Sequence, residues 1–231
     1  MSTETSSVND SLAQLRLLQF LSPISPVGSY SYSQGLEWAV NAGWIINESD
    51  FQLWVEGQIA SQLSEQELPL LIRLYRAVQA RDIEGFEQWS QLSLAVRDTA
   101  ELRQEEKDRG SAYYRILKTI DPVDAIWPCS CFLQTPFASM AWFAVNQNIK
   151  EESLLAAFAH NWLENSLSTA MKIIPLGQST GQRLLFELSP QLLMAIERSY
   201  AVSDERVGIS LPAMSFASAA HETQYSRVYR S

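Results

Sequence analysis

Histidine and cysteine are nearly missing from this chain, with two of each in 231 residues. Catalysis by acids, bases and nucleophiles needs such groups to converge, so their scarcity disfavours an enzyme. Two cysteines, Cys129 and Cys131, cannot build a disulfide framework. Positive charge is also short. The formal net charge is -9, which argues against a protein that neutralises nucleic-acid phosphates or docks on an anionic membrane surface. No apolar run approaches the ~20 residues of a membrane-spanning helix. The opening MSTETSSVND has neither the basic stretch nor the apolar core of a secretory signal. The expected setting is a soluble protein in the reducing cytoplasm.

Strand patterning is absent too: no segment sustains period-2 alternation with β-branched enrichment. Helical periodicity runs through most of the chain instead. With 46% hydrophobic and 19% charged residues, the chain can bury a large core. The expected fold is all-α, one compact bundle of about ten helices without a sheet. Residues 1–9 read as a disordered polar tail, 10–220 as the helical domain and 221–231 as a separate C-terminal tail. A first helix is expected to stop at Ser22-Pro23, a second to cover 31–42 with Gly43 as its C-terminal glycine, and a third to open on the capping-box form Ser49-x-x-Gln52. Asp82, and Thr135 before Pro136, are expected to cap later helices. Ser189-Pro190 reads as a break between helices at 180–188 and 190–201.

Residues 17–47 contain a single formal charge, Glu37, among two prolines, three glycines, two tyrosines and two tryptophans. Such a composition suits either a packed core hairpin or a buried interface. Its wording is more specific. Ser22-Pro23, Pro26-Val27-Gly28, Tyr30-Ser31-Tyr32-Ser33 and Gly35-Leu36-Glu37 resemble the N-terminal signature of the urease accessory protein UreF family. Lys172-Ile173-Ile174-Pro175-Leu176-Gly177-Gln178, continuing to Gln182, is similar to its central motif, and His221 to Ser231, HETQYSRVYRS, to its ending. The three segments stand in family order. Ile24-Ser25 and Val228-Tyr229 depart from the usual residues without losing apolar or aromatic character. Glu101, Arg103, Glu105 or Glu106, and Gly110 match a further, weaker segment.

The residues themselves favour protein docking over chemistry. Gly28-Ser29-Tyr30-Ser31 is not a nucleophile elbow, and Gly177-Gln178-Ser179-Thr180-Gly181 lacks the Gly-Lys-Ser/Thr ending of a phosphate-binding loop. His160 lies in an apolar helix and reads as packed or capping. Cys129 and Cys131 read as small buried loop residues, with soft metal ligation as the alternative. Asn161, Asn165, Ser168, Thr169 and Lys172 form a short polar stripe at helical spacing, suited to close approach by another chain. Lys172 either serves the helix C-terminus or offers one charge to a partner. The charged run TAELRQEEKDRG reads mostly as solvated pairs.

The resemblance implies an all-helical, non-catalytic scaffold without a cofactor. It would join UreD (UreH in some systems) and the GTPase UreG on apo-urease while nickel is delivered, and would probe neither nucleic acid nor membrane. Partner-binding positions are expected at Tyr30, Tyr32, Glu37, Lys172, Gln178, Gln182, His221, Glu222, Tyr225, Arg227 and Arg230, with self-association into a homodimer through aromatic positions such as Tyr30 or Trp38. The alternative is a nickel-binding metallochaperone using Cys129, Cys131 or the histidines.

Overall fold

The computed structural model describes the backbone of residues 2–22 and 32–230, and the side chains from residue 10 onward within those ranges. The chain is all-α, and no strand occurs among the described residues. Its helices are α1 (Ser2–Phe20), α2 (Leu36–Asn41), α3 (Glu48–Gln58), α4 (Leu68–Ala80), α5 (Ile83–Ala95), α6 (Ala100–Ile120), α7 (Cys129–Gln134), α8 (Pro136–Asn146), α9 (Glu151–Ile173), α10 (Gln178–Ser199) and α11 (Pro212–His221). A π-helical segment, Ile59–Glu67, joins α3 to α4 without a break.

At the centre lies α8, PFASMAWFAVN, which carries no charge and buries every residue from Pro136 to Ala144. A helix apolar on all sides must be wrapped by others. Here α4 and α6 cover it, α9 packs against α10, and α5 lies against α4. Aromatic side chains fill the seams. Phe20 at the end of α1 stacks on Phe143 with centroids 4.2 Å apart, and Phe137 meets Phe158 edge-on at 5.4 Å. Leu155, Ala159, Trp162, Leu163 and Ala170 of α9, and Ile174 directly after it, are buried.

Local capping follows the sequence where the signal is short-range. The Asp82 carboxylate accepts from the Gly85 amide at 2.9 Å, and Thr135 accepts from Phe137 at 3.3 Å ahead of Pro136. Thr99 caps α6 by accepting from Leu102 at 3.2 Å. Elsewhere the boundaries differ. The helix expected over 31–42 begins only at Leu36, because Gly35 takes a left-handed φ of 83° and sits against α11. A Cβ there would come within 2.8 Å of the Ser218 amide nitrogen. The cap of α3 is Asn47, which accepts from Asp50, two residues ahead of the capping box expected at Ser49. Backbone helix in α1 reaches back to Ser2, ahead of the expected start at residue 10.

Pro190 does not divide two helices; it lies inside α10. Proline removes one amide donor and disfavours helix in its predecessor, but Ser189 donates its hydroxyl to Leu185 O at 2.6 Å and Phe186, whose carbonyl loses its i+4 partner, is exposed to water. The Cys129–Cys131 pair opens helix α7 rather than lying in a loop, with Cys129 exposed and Cys131 buried. His160 is exposed, so it is neither packed nor a core cap.

The π segment turns polar side chains inward. Gln62, Ser64, Gln66 and Glu67 are all buried. Ser64 donates to Ala60 O at 2.8 Å, and Gln66 reaches Val96 O at 3.4 Å. The extra residue of a π turn re-aims side chains, and here it presents Glu67 to Arg97 across the core.

Candidate partner-binding site

Glu37, the lone charge of residues 17–47, is buried on α2 and acts as an acceptor for the C-terminal tail. Its two oxygens take the backbone amides of Val228 at 2.7 Å and Tyr229 at 2.9 Å. They also face His221 Nε2 at 3.4 Å. The other ring nitrogen of His221 lies 2.7 Å from Glu101, which in turn takes Arg227 at 2.5 Å. Glu222 ends α11 and accepts from the amides of Ala100 and Glu101 at 2.8 and 3.2 Å, closing the first turn of α6. A carboxylate at a helix N-terminus satisfies donors left open by helix geometry. So α2, α6, α11 and the tail meet on one face.

The tail is therefore held against these helices. His221 is fully buried, Tyr229 is 5% exposed, and burial pushes the Tyr229 hydroxyl up from its ordinary range, beside Thr169 of α9. Tyr225 points the other way and is fully exposed. Arg230 reaches the Tyr32 hydroxyl, which itself donates to Asp108 at 2.9 Å. Burial, with Asp108 beside it, pushes the Tyr32 hydroxyl up to about 12.

The structure thus gathers Tyr32, Glu37, His221, Glu222, Arg227 and Arg230. Lys172, Gln178 and Gln182 stand together at the α9–α10 corner, all exposed. Thr169 is one turn before Lys172 and links that corner to the buried ring of Tyr229. The polar stripe of α9 is partly spent within the chain: Asn161 donates to Leu21 O at 2.9 Å, and Asn165 to Asn161 at 3.1 Å. Trp38 packs edge-on against Trp44 at 5.0 Å and against Phe216 at 5.5 Å, with Trp44 and Phe216 exposed. Tyr30 lies outside the described residues.

Beneath this face runs a buried ionic cluster that draws Glu105 and Glu106 from the run read mostly as solvated pairs. Arg97 clasps Glu67 with both terminal nitrogens, at 2.5 and 3.1 Å, and contacts Glu106 at 2.9 Å. Thr135 donates to Glu106 at 2.5 Å, and Arg103 donates to Arg97 O at 2.7 Å. Glu105 and Glu106 are buried, and Gln34 donates to Glu105 at 2.9 Å. Burial raises the Glu67 carboxyl, but the adjoining Arg97 charge and its paired hydrogen bonds outweigh it and leave Glu67 below the ordinary carboxylate value. At Glu106 burial prevails over Arg97 and the carboxyl is pushed up. Gly110 lets α7 and α8 join close to α6, since a Cβ would meet Thr135 N at 2.9 Å and Phe132 O at 3.0 Å. Asp108, Glu67 and Arg97 escaped the sequence reading. Charge spacing alone cannot separate a buried pair from a solvated one; the one available signal was the resemblance at Glu105, Glu106 and Gly110.

The carboxylates accept from backbone amides, guanidinium groups, hydroxyls and a side-chain amide of the same chain, and two of them face the His221 ring. Among the described residues, no three His, Cys, Asp or Glu side chains come together as a metal-binding group, and no helix is long and apolar enough to cross a membrane. The Cys131 thiol is pushed up by burial.

The family model of UreF matches residues 45–189. Curated relatives extend the likeness over nearly the whole chain. A protein of Enterobacter sp. (strain 638) is 40% identical over 94% of this chain and 97% of its own length. One of Pseudomonas putida (strain F1) is 43% identical over 97% of this chain and 100% of its own. One of Alkalilimnicola ehrlichii is 42% identical over the full length of both. All three carry the name urease accessory protein UreF.

Proposed function

Because the chain belongs to the UreF family of urease accessory proteins, we propose that it is a non-catalytic scaffold linking UreD (or UreH) and the GTPase UreG on apo-urease during nickel insertion. The observation that carries this reading is the Glu37 clasp. It spends a buried carboxylate on holding a backbone segment, and so sets Tyr225 outward on a tail whose base is fixed. Tyrosine and arginine are the residues enriched at interface hot spots, and the tail offers both. Nickel is cargo in this reading, passed within the assembled complex, and this chain works in the cytoplasm as a homodimer.

The physical work is coupling. A scaffold alters a GTPase by binding one nucleotide state better than another. The exposed α9–α10 corner with Lys172, Gln178 and Gln182 is the surface proposed for UreG, and the tail with Tyr225 and Arg227 the surface proposed for UreD. These are separate faces joined through Thr169 and Tyr229, so both partners can be held at once.

Co-expression with UreD, UreG and apo-urease tests the reading. Both accessory partners are expected to co-purify with this chain. Lys172→Ala should leave the melting curve unchanged while weakening UreG capture by about 1–3 kcal/mol and slowing urease activation. Failure of the wild-type chain to retain either partner would overturn the scaffold reading.

A further inference from the structure

Beside the clasp, an open groove of about 610 Å³ runs between the outer face of α6 and the start of α7, closed at one end by Tyr32 and Arg230. Three cations converge on it from distant parts of the chain: Arg115 and Lys118, one turn apart on α6, and Arg230 from the tail. They do so on a protein with a net charge of -9. Arg115 and Lys118 are exposed, and among the described residues neither forms an ion pair. Lys118 instead lies 4.8 Å over the ring of Tyr114. Asp108 is the carboxylate on the groove wall, and both its oxygens are occupied, one by Tyr32 at 2.9 Å and one by Gln104 at 2.8 Å. Leu133, 42% exposed, supplies an apolar floor.

We propose that this groove is a docking surface for an acidic segment of a partner protein, one that carries carboxylates interleaved with aromatic or apolar residues. The inference rests on the scaffold reading above and adds a surface and a partner chemistry to it. Carboxylates would pair with the three cations, whose excess over the surrounding acidic surface gives both attraction and orientation. Tyr114 and Leu133 would take the interleaved side chains, as the apolar centre of an interface does. A free phosphate or nucleotide fits less well. The groove is open, and among the described residues that line it no glycine loop of converging backbone amides cradles a phosphate. Arg230 ties the groove to the clasp, because it follows Tyr229 directly and contacts Tyr32.

The test uses the full chain and a fluorescein-labelled peptide of alternating glutamate and tyrosine, followed by anisotropy at low salt. The proteins compared are the wild type, Arg115→Glu/Lys118→Glu, and Lys150→Glu/Arg198→Glu, which makes the same charge change at exposed sites elsewhere. The groove variant should bind at least roughly tenfold more weakly than wild type, the control should stay within about twofold, and added salt should weaken wild-type binding. Should the reversed charges prevent folding, Arg115→Gln/Lys118→Gln replaces them. Equal loss in both double variants, no wild-type binding, or displacement by inorganic phosphate or GTP as readily as by unlabelled peptide would each overturn the proposal. Capture of UreD and UreG separates the two readings. If the groove variant still captures both as wild type does, the groove proposal fails and the scaffold stands; if wild type captures neither, the scaffold itself fails.

Discussion

Replacing Glu37 by glutamine tests how the tail is held. The side chain keeps its size, but one oxygen becomes an NH2 group facing the Val228 or Tyr229 amide, so a donor meets a donor at one of the two positions where hydrogen bonds to a carboxylate now stand. Hydrogen bonds to a charged group contribute about 1.5–3 kcal/mol each. The two together therefore give roughly 3–6 kcal/mol, and burial of the Tyr229 ring adds about 2 kcal/mol. Ordering Arg227, Val228 and Tyr229 costs about 1–2 kcal/mol per residue, which leaves a margin of a few kcal/mol. Losing one charged bond, and leaving the other without its charge, removes about 3 kcal/mol and brings that margin close to zero. Amide exchange at Val228 and Tyr229 should then quicken by about two orders of magnitude. The melting temperature should fall by only about 4–8 °C, because the tail opens locally while the core remains. Exchange mass spectrometry of the C-terminal peptide, read beside a melting curve, decides the matter. Unchanged exchange at these two amides would refute the clasp as the tail's anchor.

Three further expectations concern stability. Arg97→Met leaves Glu67 and Glu106 facing each other in the interior, and should cost about 3–5 kcal/mol; calorimetry checks this, and adding Glu67→Met and Glu106→Leu should recover much of the loss. Gly110→Ala forces a methyl group into backbone 2.9 Å away at Thr135, so a loss of about 1–3 kcal/mol is expected in denaturant titration. Tyr32 and Tyr200 are each pushed up to about 12, burial first among the causes. An unfolded tyrosine ionises near 10, so between about pH 10 and 12 the folded chain keeps protons that the unfolded chain has lost. Their stabilising contribution is complete below about pH 10 and disappears as pH rises through that window; melting curves across it, with Tyr32→Phe showing a shallower decline, measure the effect.

The helical class and most helix positions were legible because the signals are local. Asp82 and Thr135, both expected as caps, each accept from an amide two or three residues away. What failed were features decided by distant partners. Pro190 looks like a boundary until the neighbouring Ser189 hydroxyl and the exposed Phe186 one turn before are seen together. Glu105 and Glu106 look like any pair on a charged helix until Arg97 and Thr135 arrive from elsewhere in the fold. Glu37 was conspicuous as the lone charge of its segment, yet its role depends on amides near the other end of the chain. Tyr32, Arg227 and Arg230 could be suspected from the family wording, but their meeting at one face is a property of the fold.

The π segment between α3 and α4 has a bearing on how this fold tolerates change in length. Each residue turns an α-helix by about 100°, so the wide turns over Ile59–Glu67 act as a phase adjuster between two otherwise regular rods. Removing one residue there would regularise the hydrogen-bond ladder. It would also swing Phe51 and Val55 on α3 about 100° out of register with Leu70, Leu71 and Leu74 on α4, all of which are now fully buried. The local gain in helix regularity would thus be set against exposure of the core and withdrawal of Glu67 from Arg97. Once acquired, such an inserted residue is locked in by the surroundings that grew to fit it, so length variation in this fold belongs in its loops and not in the long rod from Glu48 to Ala80.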